Sequence, residues 1–406
     1  MTFCLRYRFS LIAAYLLLSV CSGKAQLPLR PDAFPPSESS ASTGKALLMA
    51  DDSASMADWM HYPTYEHYVA MMQRFERRHP ALCRLDTIGT SVNGRLILCV
   101  RLSDDNAATV AEKPQVFYSA AIHGDELVGF HLMLHLIDTL LQAYGVSPQI
   151  TALLASTEVY INPLANPDGT YYGGNGTVGL SRRYNARGVD LNRNYPDPFA
   201  ATAKNIEPEN QAMIDYVSVH RFRLSANLHS GSEVMNYPWD SFTSAQRSHP
   251  DADWWVAVSK RFVDTCRRES PAMFTDVVNS GYIAGGDWYV ITGGRQDYMN
   301  YCHDMLEMTM ELSSVKKVAS GDLPRYWRSQ RQALINYLCE VHALPVAAGV
   351  CSSVAGRGSW RAYPNPTRGP VTVETDGRAV LLDLSGHPAG IHLLRVDGRW
   401  VRVIKL

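Results

Sequence analysis

The sequence predicts an α/β fold: a mixed central β-sheet with helices on both faces (α/β/α), followed by a small C-terminal β-rich tail. Three observations predict it. First, an apolar run at 116–122 is followed by a long apolar stretch of helical length at 129–144 and a second buried run at 159–164, so strand alternates with helix. Second, the runs at 85–88 and Leu96–Leu102 flank Ser91-Val92-Asn93-Gly94, a hairpin with a favoured turn. Third, His123 and His229 each follow a short apolar run, and sheets of this class gather functional groups beyond strand ends.

Composition agrees with a folded chain. Its 406 residues are 46% hydrophobic and 19% charged, enough for one large core or two modest ones. Lys plus Arg number 38 against 39 Asp plus Glu, so no global field points to nucleic acid or an anionic membrane.

In chain order, Arg6 and Arg8, an apolar run at 11–20 and small residues at 22–25 have the layout of a secretory signal peptide over 1–25. The run is far shorter than the ~20 residues needed to span a bilayer, so no stable membrane span is expected. Cys21 offers a rival lipoprotein cleavage, which the bulk of Val20 disfavours against cleavage near Ala25. Cleavage there removes Lys24 with the two arginines and no acid, leaving a mildly acidic chain. It also leaves six cysteines, at 83, 99, 266, 302, 339 and 351, in a compartment where disulfides persist. None forms a Cys-x-x-Cys pair, which argues against a cysteine-type zinc site.

Residues 26–56, rich in Pro, Ser, Ala and Asp, read as a linker or short pro-segment. Tyr65, Tyr68, Val69, Met72 and Phe75 have helical spacing, predicting a helix over 64–78 that His79-Pro80 ends. The strand at 116–122 then delivers His123. In the next helix His131 and His135 are spaced i, i+4 as in helical zinc proteases, but those need Glu directly after the first His, and here Leu132 stands there. The pair reads as structural, as does His303 before Glu307.

His123 and Glu126 stand three residues apart in His-Gly-Asp-Glu. A catalytic zinc takes three protein ligands from imidazole and carboxylate and keeps its fourth position open. These two residues are candidate ligands, and His229 in Ser225-Ala-Asn-Leu-His-Ser-Gly is the candidate third. Three further blocks accompany them: Arg183-Tyr-Asn-Ala-Arg-Gly-Val-Asp-Leu-Asn-Arg-Asn-Tyr-Pro, Trp288-Tyr-Val-Ile-Thr-Gly-Gly-Arg-Gln-Asp-Tyr and Glu307-Met-Thr-Met-Glu-Leu-Ser.

Together these blocks resemble the zinc metallocarboxypeptidase family, most of all its regulatory branch (carboxypeptidases N, E, D and M), over a catalytic domain at 57–343. The resemblance implies one Zn²⁺ per chain on His123, Glu126 and His229. It makes Glu311 the general base, a role that fits a carboxylate flanked by Met308, Met310 and Leu312. Arg183, nine residues before Asn192, resembles the arginine that steadies the tetrahedral oxyanion, and Arg182 and Arg187 read as solvated. Asn192 and Arg193 resemble the receptor of the substrate's terminal carboxylate, with Tyr289 closing over it, and a guanidinium fork suits that bidentate task. Asp190 resembles the carboxylate that orients the first zinc histidine. Asp240 and Gln296 match positions that favour a C-terminal Lys or Arg; Arg295 departs from the pattern, and either weakens that preference or points away. Asp125 receives no role.

After a last helix near 323–342 the regulatory branch carries a transthyretin-like β-sandwich, for which this chain has no room. A linker at 344–358 leads instead to a tail at 359–406 whose Tyr363-Pro-Asn-Pro, Leu382-Asp-Leu-Ser-Gly and Gly390-Ile-His-Leu-Leu-Arg-Val resemble a type IX secretion sorting domain, though shortened. The alternative is an ordinary β-rich appendage. The reading is therefore a secreted or cell-surface monomer, exported through the periplasm, that acts on peptide or protein C-termini and takes no nucleic acid. Two alternatives stand beside it: a carboxypeptidase for diaminopimelate-type cell-wall peptides, and a metal-dead binding module.

Overall fold

The computed structural model describes residues 46–107, 113–199 and 205–345, and the backbone of strands between 361 and 405. The expected signal peptide, residues 26–45 of the expected linker and residues 346–360 lie outside the described residues.

Eight strands form the main sheet: β1 (Cys83–Thr90), β2 (Leu96–Leu102), β3 (Gln115–Ala120), β4 (Glu158–Asn162), β5 (Phe222–His229), β6 (Ser232–Tyr237), β7 (Tyr282–Ala284) and β8 (Leu306–Ser313). Their order across the sheet is β1-β2-β4-β3-β5-β8-β6-β7. The central run β4-β3-β5-β8 is parallel, while β1 and β2 add antiparallel on one side and β6 adds antiparallel to β8 on the other. The sheet is thus mixed, as predicted. All four parallel strands end on the same edge, and that edge carries the candidate site.

Among the described residues, seven helices of eight or more residues accompany it: α1 (Tyr65–Arg78), α2 (Leu127–Ala143), α3 (Pro148–Ser156), α4 (Pro208–Val219), α5 (Ala252–Glu269), α6 (Arg295–His303) and α7 (Leu323–Cys339). The pleat divides the side chains into two cores, because successive residues of a strand point to opposite faces. Val116, Tyr118 and Ala120 of β3, Leu224, Ala226 and Leu228 of β5, and Met308, Met310 and Leu312 of β8 join one core with residues of α1, α2, α5 and α7. Phe117 of β3 joins the other with Met213, Ile214 and Val217 of α4 and Tyr298 and Met299 of α6. This alternation leaves Asn227, His229, Glu307 and Glu311 on the face opposite the apolar row.

Helix α1 starts where the sequence predicts, with the Thr64 hydroxyl accepting from the His67 backbone N–H at 3.3 Å. Strand β3 stops at Ala120, two residues before its predicted end, because Ala121 turns into the left-handed region at φ 55°. Helix α2 begins two residues before the predicted start. Helix α3 was not predicted, although the Ser147 hydroxyl accepts from Ile150 N–H and Pro148 occupies its first turn.

The end of the expected linker is part of the fold. Met49–Ala50 pairs with Tyr62–Pro63, and Ala50 and Met56 are buried in the larger core. Cys83, Cys99, Cys266 and Cys339 are thiols, so the compartment argument for disulfides does not extend to them. No single helix among the described residues is long and apolar enough to cross a membrane. In the tail, Arg361–Tyr363, Val371–Thr375 and Arg378–Leu382 make a three-stranded antiparallel sheet, and Gly390–Val396 pairs with Arg399–Lys405.

Candidate metal centre

The site forms where β3, β5 and β8 end. His123 follows β3 by three residues, and Glu126 is the residue from which α2 departs. Between them Gly124 lies against another backbone: a Cβ there would sit 2.3 Å from the Gly169 carbonyl carbon and 2.4 Å from Thr170 N, so only glycine fits. His229 is the last residue of β5, and Glu311 pairs with it in parallel register across to β8. Strand register alone therefore sets the candidate base beside a candidate ligand.

Ligand atoms of His123, Glu126 and His229, all buried, lie within 4.8 Å of one another. His123 Nδ1 is 3.0 Å from Glu126 Oε1, and His229 Nδ1 is 2.8 Å from Oε2 and 3.1 Å from His123 Nδ1. The outer nitrogens fix which lone pairs point inward. His123 Nε2 faces the Asp190 carboxylate at 3.1 Å, an acceptor, so Nε2 carries the proton and Nδ1 is bare. Asn227 stands 2.8 Å from His229 Nε2. With the Asn227 amide turned so that its oxygen accepts from Nε2–H, Nδ1 is bare as well, which is the tautomer a metal on Nδ1 requires; in the opposite orientation Nδ2 donates to Nε2. Burial also pushes His229 down to about 4, which keeps the ring neutral at pH 7. Two bare imidazole nitrogens 3.1 Å apart beside a carboxylate repel one another unless a cation lies among them. Two imidazoles and one carboxylate are a zinc donor set, and the residues fit that ion.

Cations flank the ligand carboxylate. Arg183 donates from Nε to Asp190 Oδ2 at 2.9 Å and brings Nη1 to 3.6 Å from Glu126 Oε1. Lys316 places Nζ 3.3 Å from Glu126 Oε1 and 3.3 Å from Asp125 Oδ2, which gives Asp125 a structural partner. Burial works against the ionised Asp190 carboxylate, but His123 and Arg183 outweigh it and hold the group well below the usual range. Glu311 is raised, first by burial and then by the charge of Glu126, and its Oε2 has no hydrogen-bond partner among the described residues.

The remaining predicted residues border this centre. The charges of Glu311, Arg193, Asp240 and Arg183 all act on Tyr289, whose hydroxyl is raised chiefly by burial. Arg193 donates to the Asn192 carbonyl at 2.9 Å, and the Asn192 side-chain oxygen accepts from Arg295 N–H at 2.9 Å. Gln296 donates to Asp240 Oδ1 at 2.9 Å, so the two candidate specificity residues meet.

Arg295 points away from them. It is fully buried with Glu307, Nε 3.0 Å from Oε1 and Nη2 3.1 Å from Oε2, so its guanidinium is paired there. Arg182 and Arg187 lie outside the centre. Arg182 stacks on Tyr172 at 3.7 Å and donates to two backbone carbonyls rather than being solvated, whereas the exposed Arg187 meets Glu207 at 3.4 Å. His135 is sandwiched between Trp59 and Trp327, and His131 packs edge-on to Trp59 and Tyr62, so the i, i+4 pair belongs to the core.

Sequence reasoning missed Lys316, Asn227 and Asp297. Asn227 was within reach, because it shares a strand face with His229 two residues on. Lys316 meets Asp125 across 191 positions, a pairing with no sequence signature.

Comparison with known proteins agrees with this geometry. Carboxypeptidase D of Mus musculus is 32% identical over 312 residues, 73% of this chain and 22% of its own. The chain thus spans about a fifth of that relative's length. Carboxypeptidase M of Mus musculus is 33% identical over 306 residues, 69% of this chain and 66% of its own. A solved carboxypeptidase A from Helicoverpa armigera shares the fold with a TM-score of 0.60 at 21% identity, covering 73% of this chain and 77% of its own. The model of the zinc carboxypeptidase family matches residues 68–333, well over half of the sequence, and the chain belongs to that family.

Proposed function

We propose that this protein is a zinc-dependent carboxypeptidase that hydrolyses the last peptide bond of peptides or proteins and releases a C-terminal Lys or Arg. The observation that carries the reading is the convergence of His123 Nδ1, His229 Nδ1 and the Glu126 carboxylate beside Glu311 and Arg183. His123, Glu126 and His229 would hold zinc, which would supply a Lewis acid for the scissile carbonyl and lower the pKa of a water to about 7. Glu311 takes the proton of the attacking water and passes it to the leaving amine. Arg183 steadies the oxyanion, and Asp190 orients His123.

Asn192 and Arg193 receive the terminal carboxylate beneath Tyr289, which makes the enzyme an exopeptidase. Asp240, buried against Gln296, gives the side-chain pocket its negative charge and so its basic preference. A panel of blocked dipeptides differing only in the last residue tests this reading. Wild type should release Lys and Arg fastest, and Asp240→Ala should level the panel. Equal wild-type rates on Lys and Phe substrates would remove the basic pocket, and release of diaminopimelate alone would favour the cell-wall alternative.

The signal-peptide layout of residues 1–25 and the motif order in the tail support export to the cell surface or medium, with the periplasm as intermediate. The domain reading is a catalytic domain at 57–343 and a sorting-type tail at 359–406. A fusion of residues 358–406 to a periplasmic reporter tests the tail, and a reporter that stays in the periplasm contradicts it.

A further inference from the structure

Asp240 sits on a loop, and what fixes that loop is a second buried carboxylate. Asp297, in the first turn of α6, is 1% exposed and accepts two consecutive backbone N–H groups: Asp240 N at 2.8 Å on Oδ1 and Ser241 N at 2.8 Å on Oδ2. Each carboxylate oxygen thus takes one peptide N–H, a fork that fixes the two peptide units, Trp239–Asp240 and Asp240–Ser241, on either side of the Asp240 Cα. The neighbouring bonds complete the frame. Ile291 N donates to the Asp240 carbonyl at 3.1 Å, Ser241 Oγ to the Ile291 carbonyl at 3.1 Å and Gly286 N to the Trp239 carbonyl at 2.8 Å.

The frame presses the Asp240 side chain into one place. A Cβ at Gly285 would lie 1.9 Å from Asp240 Oδ1, so the carboxylate already fills that space. On its other side Gln296, the residue before Asp297, donates to the same oxygen through Nε2, and its side-chain Oε1 accepts from Thr309 N–H. A single helical turn therefore holds Asp240 by its backbone through Asp297 and by its side chain through Gln296. Asp297 also adds charge. Burial first, and then the charge of Asp297, push the Asp240 carboxyl well above its usual range, and the chief opposing field is that of Arg193. An acid placed beside an acid is costly in a buried pocket unless a cation arrives to share it.

We propose that Asp297 is a positioning residue for substrate specificity: by accepting the Asp240 and Ser241 N–H groups it aims the Asp240 carboxylate at the C-terminal basic side chain of the substrate. The proposal rests on the basic preference put forward above. Asp297 touches neither the scissile bond nor the metal ligands. Its loss raises KM for basic substrates, leaves kcat in place, and does nothing once Asp240 is gone.

The experiment compares D297N, D240A and the double variant, each as the full zinc-loaded protein, on blocked dipeptides ending in Arg or Leu. Asn keeps one acceptor and sets an amide N–H against a peptide N–H. The expected result is a ~10- to 100-fold fall in kcat/KM on the Arg substrate, the scale of a charged hydrogen bond, carried by KM. On the Leu substrate the change stays within about threefold, and in the D240A background D297N adds less than about twofold. Equal falls on Arg and Leu, an unchanged Arg rate, or a fall that persists without Asp240 would overturn it. If D297N does not fold, D297E, which keeps the charge and moves it by one methylene, carries the same comparison with the same outcomes. A wild type with no basic preference would overturn the underlying reading and this one together. A wild type with that preference and an indifferent D297N overturns this one alone.

Discussion

Glu307→Met should cost more stability than any single change at the surface, and removing its partner as well should restore most of the loss. Arg295 and Glu307 are both fully buried and joined by two parallel N–H···O contacts. Ser225 Oγ adds a bond to Glu307 Oε2 at 2.8 Å, and the guanidinium lies 5.3 Å from the centre of the Phe117 ring. Loss of the carboxylate leaves an uncompensated cation in the smaller core, which typically costs ~3 to 5 kcal/mol. For a domain of roughly 300 residues the unfolding entropy is ~0.6 kcal/mol per kelvin, so the midpoint should fall by about 5 to 8 °C. Replacing both charges by Met leaves neither charge to solvate, and that double variant should return to within about 3 °C of wild type. Thermal unfolding of the two single variants and the double variant reads all of this directly. A Glu307→Met midpoint within about 1 °C of wild type, or a double variant as unstable as the worse single, would refute the reasoning.

Two further outcomes follow from the site and the core. Arg183→Met should lower kcat by ~100- to 1000-fold while zinc content stays at one per chain; a change confined to KM would contradict its role at the oxyanion. Burial holds His131 and His135 down to about 3 in the folded chain, against about 6.5 unfolded, so the unfolded state binds more protons between those values. Their contribution is intact above pH 6.5 and is lost as pH falls toward 3. At pH 4.5 His131 alone costs about 2 to 3 kcal/mol, so His131→Leu should gain stability relative to wild type on going from pH 7.5 to 4.5, measured by urea unfolding. The same difference at both pH values would refute it.

Much of the site was legible because it is local. His123 and Glu126 lie within four residues, and the runs before His123 and His229 marked both as strand ends. Apolar neighbours on either side of Glu311 made its burial readable, since alternation sends them to one core and the carboxylate to the other face. Other features depend on contacts that no local pattern encodes. Whether Arg295 faces the pocket or the core is decided by Glu307, twelve positions away on another element. The pairing of Met49–Ala50 with Tyr62–Pro63 hides a fold boundary inside a stretch whose composition reads as linker. Helix α3 did carry a start signal in Ser147-Pro148, but nine residues give too few turns for periodicity to stand out. The fork from Asp297 to the Asp240 loop joins one side chain to two backbone groups, and backbone donors leave no mark in the sequence.

His123, Glu126 and His229 are expected to hold zinc, and Glu311 to turn that centre into a hydrolase. Glu311→Gln tests both halves in one preparation, with metal content and the release of C-terminal Arg measured side by side. One zinc per chain, as in wild type, is expected, with turnover lowered ~100- to 10,000-fold. Zinc-loaded Glu311→Gln protein that releases Arg at the wild-type rate would contradict it.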